Sequence, residues 1–463
     1  MKKAVLNEID WPEFGIGERP ADITLDEYLS RLQMVREAME VRGYSHLLIY
    51  ADREHFANLT WMCNIDPRFE EALLILRPEV KPLILIGNEC EGYLPHSPLY
   101  KSGDMRSELY QPFSLLNQGR DKSRTLGEIF TDEGMDENAN VGAVGWKYFG
   151  ENEDPAGSLA LDIPSFIADA ARNIAGHDQV INATDLFMHP GYGFRSVVSV
   201  DEIAIFEYSN IKTSEAVKRI LFGMRDGMTD FEIAKFMEWD GEPLGCHPTF
   251  ASGNLPGLCG PQGRILRKGD VFSFNVCYWG SNICRAGWVA ESANDLPTGA
   301  QDYINAFAAP YFEAMANWFR NLRIGTKGKL LHDIIYGTLP FEKFGIFLNA
   351  GHLIHLDEWV SSPIYEGSDL PIRSGMMFQV DVIPSSPIYG STRMEDGIVI
   401  ADAELRAKLK IKHPDCYDRC MKRRDFMINI LGFDLPDEIL PLSNIPAIVP
   451  PWFLKPEQIF TLK

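Results

Sequence analysis

The stretch from Gly269 to Glu395 constrains this chain most, because it threads isolated polar residues through runs that otherwise read as buried strands. In order these are Asn275 and Asn282 in FSFNVCYWGSNICR, His352 and His355 in AGHLIHLDEW, Asp381 in FQVDVIP and Glu395 in TRMEDGIVI. A polar side chain buried without a partner costs on the order of a few kcal/mol. These residues are therefore expected to converge on one another in an interior cleft.

With 463 residues and 45% hydrophobic content the chain can build large cores, and its length suggests two or three domains. The formal charge of −21 argues against nucleic acid or an anionic membrane as partner, since both are held by clustered Lys and Arg. The basic run Lys422, Arg423, Arg424 is too short to change that. No run of about eighteen apolar residues occurs, and MKKAVLNEIDWPEFG lacks the apolar centre of a signal peptide, so a cytoplasmic protein is expected. The eight cysteines show no metal-knuckle spacing and are expected as free thiols. Cys246, Cys259, Cys277 and Cys284 fall in the site-like region beside His247, where thiols filling a tight sheet are a plainer reading than a Cys nucleophile.

Three segments are expected. Residues 1–195 read as an α/β domain, with a helix capped at Thr24 and Glu27 and ended at Gly43, strands near 46–50, 71–77, 82–87 and 141–146, and an amphipathic helix over 164–176. No glycine-rich phosphate loop follows these strands. Residues 196–433 open with a long helix behind the capping box Ser199 to Glu202 and repeat the device at Thr229 to Glu232. Helices then alternate with extended segments near 271–279, 284–290, 376–383 and 396–400, an α+β pattern with an antiparallel sheet flanked by helices. Residues 434–463 carry six prolines, which argues against any regular element there, and the apolar run IPAIVPPWFL predicts docking on the body or on a partner subunit.

Taken together, these motifs resemble the creatinase, prolidase and methionine aminopeptidase family, whose fold is the pita-bread fold. RILRKGDVFSF is similar to the strand leading to the family's first metal aspartate, GHLIH to its Gly-His motif, SGMMFQVDVIP to the segment of its first glutamate, and TRMEDGIVI to that of its last. The resemblance implies a pita-bread domain preceded by a creatinase-type N-terminal α/β domain, and a homodimer. In the metal-dependent members two aspartates, one histidine and two glutamates hold a pair of divalent ions around a nucleophilic water. Carried onto this chain, those positions are Asn275, Asn282, His352, Asp381 and Glu395. Two such cations about 3.5 to 4 Å apart repel by on the order of 20 kcal/mol at an effective dielectric near 20, and two carboxylates do not offset that as four do. No dinuclear site is therefore expected, and no cofactor; a single divalent ion on His352, Asp381 and Glu395 is compatible with the pattern.

Creatinase is similar to these peptidases, works without metal, and also has Asn at the first aspartate position. Its catalytic histidine follows a Ser-Gly turn, whereas this chain reads FASGNLPGLCGPQGR with Cys259 and Gly260 there, and Trp359 stands where many members have a second histidine. The expectation is a hydrolase acting on a C–N bond of a small cationic or zwitterionic molecule. His352 or His247 would activate water, and Asp381, Glu395, Asn275, Asn282 and His355 would bind the substrate. A metal-dependent Xaa-Pro aminopeptidase or dipeptidase with altered ligands, and a non-catalytic protein binding a small molecule or peptide, are the alternatives. Arg285, Arg393, Glu395 and Asp396 also read as an ion-pair network under the cleft, and Asp357 and Glu358 as solvent-facing residues at its mouth.

Overall fold

The computed structural model of the protein describes residues 2–463 except 151, 254–256, 258 and 349. Part of the loop compared with creatinase, residues 254–256 and 258, thus lies outside the described residues. The chain separates into two compact units, one of residues 22–195 and one that joins residues 1–21 to 196–463. Residues 1–21 are a correction to the sequence reading, which put them in the first domain. Strand β1 (Ala4–Glu8) pairs antiparallel with residues 458–462 at the other end of the chain, a long-range contact that no local pattern announces.

In the unit of residues 22–195, continuous apolar runs become a buried sheet. Its strands are β2 (His46–Ala51), β3 (Ala72–Leu76), β4 (Leu83–Ile86), β5 (Arg106–Leu109), β6 (Val141–Val144) and β7 (Val180–Asn182), in the order β5-β4-β3-β2-β6-β7. β3 is antiparallel to both neighbours and the other pairings are parallel. The helix Leu25–Arg42 begins where Thr24 accepts a hydrogen bond from the Glu27 N–H and stops at Gly43. Leu48, Ile75, Leu85, Ile129, Val141 and Ile167 belong to its core.

The second unit carries β8 (Phe250–Ser252), β9 (Val271–Tyr278), β10 (Ser281–Trp288), β11 (His352–Leu353), β12 (Met377–Gln379), β13 (Arg393–Glu395), β14 (Gly397–Ile400), β15 (Ile439–Pro441) and β16 (Gln458–Leu462). They form two antiparallel four-stranded sheets, β13-β10-β9-β8 and β11-β12-β14-β15, besides the β1-β16 pair. The chain passes from one sheet to the other at Asp396, the single residue between β13 and β14. The helix Val200–Gly223 starts at a capping box in which Ser199 and Glu202 satisfy each other's backbone N–H groups, and it contacts β9 and β10.

The C-terminal segment corrects a second expectation, because despite its prolines it contributes β15 and β16. Residues 439–453 are buried throughout. Arg285, itself fully buried, holds this stretch by donating from Nε to Ile448 O (2.7 Å) and from a terminal nitrogen to Ile445 O (2.9 Å), while Asp396 Oδ2 accepts from the Ala447 N–H (2.9 Å). Arg285 and Asp396 also pair with each other at 2.9 Å, which makes them structural, as the sequence suggested. Among the described residues no helix is long and apolar enough to cross a membrane.

Candidate functional site

Residues opposite one another in an antiparallel pair lie on the same face of the sheet. The pairings Cys284↔Asn275, Asn282↔Cys277, Cys284↔Glu395 and Ala286↔Arg393 therefore put Asn275, Cys277, Asn282, Cys284, Glu395 and, by alternation, Arg393 on one face. His352 on β11 and Asp381, two residues past β12, meet that face from the other sheet. One ligand-capable atom each from His352, Asp381 and Glu395 lies within 4.8 Å of the others. Gly351 makes the approach to His352 feasible: its φ is 101°, and a Cβ there would come 3.1 Å from the Trp318 ring. Asn275, Asn282, His352, Asp381 and Glu395 are all buried.

The hydrogen bonds among them have a fixed direction. Asn275 Oδ1 accepts from the backbone N–H of Thr249 (2.5 Å) and from its hydroxyl (2.7 Å). A backbone N–H can only donate, so the amide is locked with its nitrogen toward Asn282. Asn275 Nδ2 donates to Asn282 Oδ1 (2.8 Å), which in turn points Asn282 Nδ2 at Glu395 Oε1 (2.7 Å) and Glu358 Oε1 (3.3 Å). Both amides are committed, and what they present to the carboxylates is N–H. A metal pair needs oxygen ligands from these two positions, so the residues present do not fit a dinuclear centre.

Arg393 supplies the positive charge at the other end. Its Nε donates to Asp381 Oδ1 (3.1 Å), and a terminal nitrogen lies 3.0 Å from Asp381 Oδ1 and 2.8 Å from Glu395 Oε2. Burial works against the guanidinium charge, but Asp381 and Glu395 outweigh it and hold Arg393 protonated. Burial, then Asp381, push the Glu395 carboxyl well above the ordinary range, and Arg393 only partly reverses this. A single ion on His352, Asp381 and Glu395 would have to share two carboxylates that the guanidinium already occupies.

His352 is held between two neighbours that sequence reasoning misplaced or set aside. Glu358, expected at the mouth in solvent, is turned inward, with Oε1 3.3 Å from His352 Nε2. Trp359 stacks on the imidazole at a ring separation of 4.1 Å. The backbone explains both, because the chain folds back so that the Val360 N–H meets Leu353 O (3.0 Å), an irregular reversal with no periodic signature. Burial lowers the His352 pKa, but Glu358 and Asp381 overcome that and raise it. The same pairing, with Asn282, keeps Glu358 below its usual value despite burial. Asp357 likewise is buried and not solvent-facing.

Two expected site residues do not join the buried cluster. His247 is exposed; its segment hydrogen-bonds to β9 at Pro243 and Thr249 and leaves this side chain to solvent. His355, fully buried, sits with Nε2 3.1 Å from Glu202 Oε1 and its ring edge-on to Phe206, so it belongs to the N-terminus of the helix Val200–Gly223. It lies three positions after His352, and the strand and reversal turn the two apart. The cysteines are free thiols; Cys284 is buried against the site, which pushes its pKa up to about 12, and Cys259 is partly exposed.

No sequence-family model matches this chain, and no curated protein matches it by sequence. Solved structures do. A prolidase from Thermococcus sibiricus superposes with a TM-score of 0.62 at 15% identity, covering 91% of this chain and 98% of its own. Dipeptidase PepE from Mycobacterium ulcerans gives 0.61 at 18% identity, covering 82% of this chain and 95% of its own. The N-terminal domain of the FACT complex subunit SPT16 from Cicer arietinum gives 0.58 at 14% identity, covering 82% and 95%. The fold is therefore the pita-bread fold of the prolidases and Xaa-Pro dipeptidases, in an α+β chain of two units.

Proposed function

We propose that this chain is a metal-independent hydrolase with the prolidase-type fold, cleaving a C–N bond in a small cationic or zwitterionic molecule and working as a cytoplasmic homodimer. The observation that carries the reading is the His352–Glu358 pair, an acid–base couple assembled in a buried site from this chain's own residues. A histidine whose pKa is raised by a carboxylate keeps a proton available near neutrality, which suits protonation of a leaving amine. Trp359 fixes the ring, and Asp381 supplies carboxylate charge toward a substrate cation.

Hydrolysis of amidines, guanidines and Xaa-Pro dipeptides in the presence of a chelator tests this. Turnover should survive the chelator and fall by roughly 10²- to 10⁴-fold in His352→Ala. Unchanged turnover in that variant, or loss of activity to the chelator that manganese restores, would reject it, and the second outcome would favour a metal-dependent Xaa-Pro peptidase.

A non-catalytic binding protein is the second reading. What favours it is the saturation of the amide chain, together with a structural neighbour that is a subunit domain of a larger complex. Binding of a small amine or peptide without turnover across a metabolite library would support that reading over catalysis.

A further inference from the structure

Cys246 and Cys277 face one another across an irregular strand pairing at the edge of the site. Two backbone hydrogen bonds bracket them: Trp279 N–H to Pro243 O and Asn275 N–H to Thr249 O, both 3.1 Å. Cys277 is midway between Asn275 and Trp279 and Cys246 midway between Pro243 and Thr249, so both lie in the bulged stretch where four residue steps of β9 face six of the other segment. A disulfide needs Cβ atoms about 3.5 to 4.5 Å apart, so closure requires the two segments to draw together. Gly245 shows how tightly the segments approach, since a Cβ there would meet Cys277 Sγ at 2.9 Å. Besides burial, the Cys246 thiol is near enough to the Cys277 sulfur to help raise its pKa. Cys246 Sγ also lies 3.6 Å from Asn275 Nδ2, which ties the pair to the amide chain.

We propose that Cys246 and Cys277 are a redox modification site, closed to a disulfide by hydroperoxides. Cys246 is partly exposed and Cys277 fully buried, so the roles divide. The Cys246 sulfur attacks the peroxide O–O bond, giving a sulfenic acid and releasing the alcohol, or water from hydrogen peroxide. The Cys277 thiol then displaces hydroxide from that sulfur; the S–S bond forms, and the thiol proton leaves with the hydroxide as water. Closure draws Cys246 onto β9 and away from Asn275, at the border of the candidate site.

The test is peptide mapping of the full-length protein treated with hydrogen peroxide, digested by trypsin without reductant. Residues 236–264 and 269–285 should appear as one linked species, lighter by two hydrogens than its parts, with fragment ions placing the link at Cys246 and Cys277. A dithiol reductant should reverse it, and Cys246→Ser should not form it. A link between any other pair, Cys246 oxidised to the sulfinic acid without a link, or no change in Cys246 would each overturn the proposal. None of these readouts depends on the hydrolase reading.

Discussion

Asn282 Nδ2 donates to Glu395 Oε1 across 2.7 Å, from β10 to the neighbouring strand β13. This places a neutral donor beside a buried carboxylate whose pKa is already raised. The site is thus arranged to bind its own carboxylates with N–H groups.

Asn282→Asp should turn that donor into a like charge. The variant is expected to lose about 1–3 kcal/mol at pH 7, since a buried hydrogen bond is replaced by repulsion. The two carboxyls would share a proton more readily in acid, so the deficit should shrink at pH 5. Urea titrations at both pH values check this, and a deficit independent of pH would count against the assigned contact.

Arg393→Met should leave Asp381 and Glu395 without their cation. Breaking a buried charge pair from one side costs about 3–5 kcal/mol. Chemical denaturation of the variant measures it, and a loss under about 1 kcal/mol would show that the guanidinium is not what neutralises the pair.

The His352 imidazole has a definite sign in its pH dependence. Burial pushes its pKa down, but Glu358 and Asp381 prevail and the folded value is raised. A raised folded pKa contributes stability fully below the unfolded value, about 6.5, and loses it as pH rises through the folded value. The stability gap between the protein and His352→Gln should therefore narrow from pH 6 to pH 9. A gap that widens over that range would contradict the pairing.

The sequence made the sheet runs, the capped helices and the convergence of Asn275, Asn282, His352, Asp381 and Glu395 legible, because strand alternation and caps are local patterns. It did not reveal Glu358, whose inward turn depends on an irregular reversal between Leu353 and Val360. Nor did it separate His355 from His352, since a strand followed by a turn has no fixed side-chain period. His247 was drawn in by its neighbours in sequence, and its segment leaves the side chain to solvent. The prolines at the C-terminus concealed two short strands, because proline at a sheet edge or strand end is compatible with pairing. The termini meet in β1 and β16, a contact between opposite ends of the chain that composition cannot announce.

The committed amides and Arg393 leave no place for a metal pair. Metal content of the purified protein, dialysed against manganese, cobalt or zinc and then against buffer, tests it most directly. Retained metal should stay well below one ion per chain, whereas two ions per chain would show that the amides do not block a metal pair.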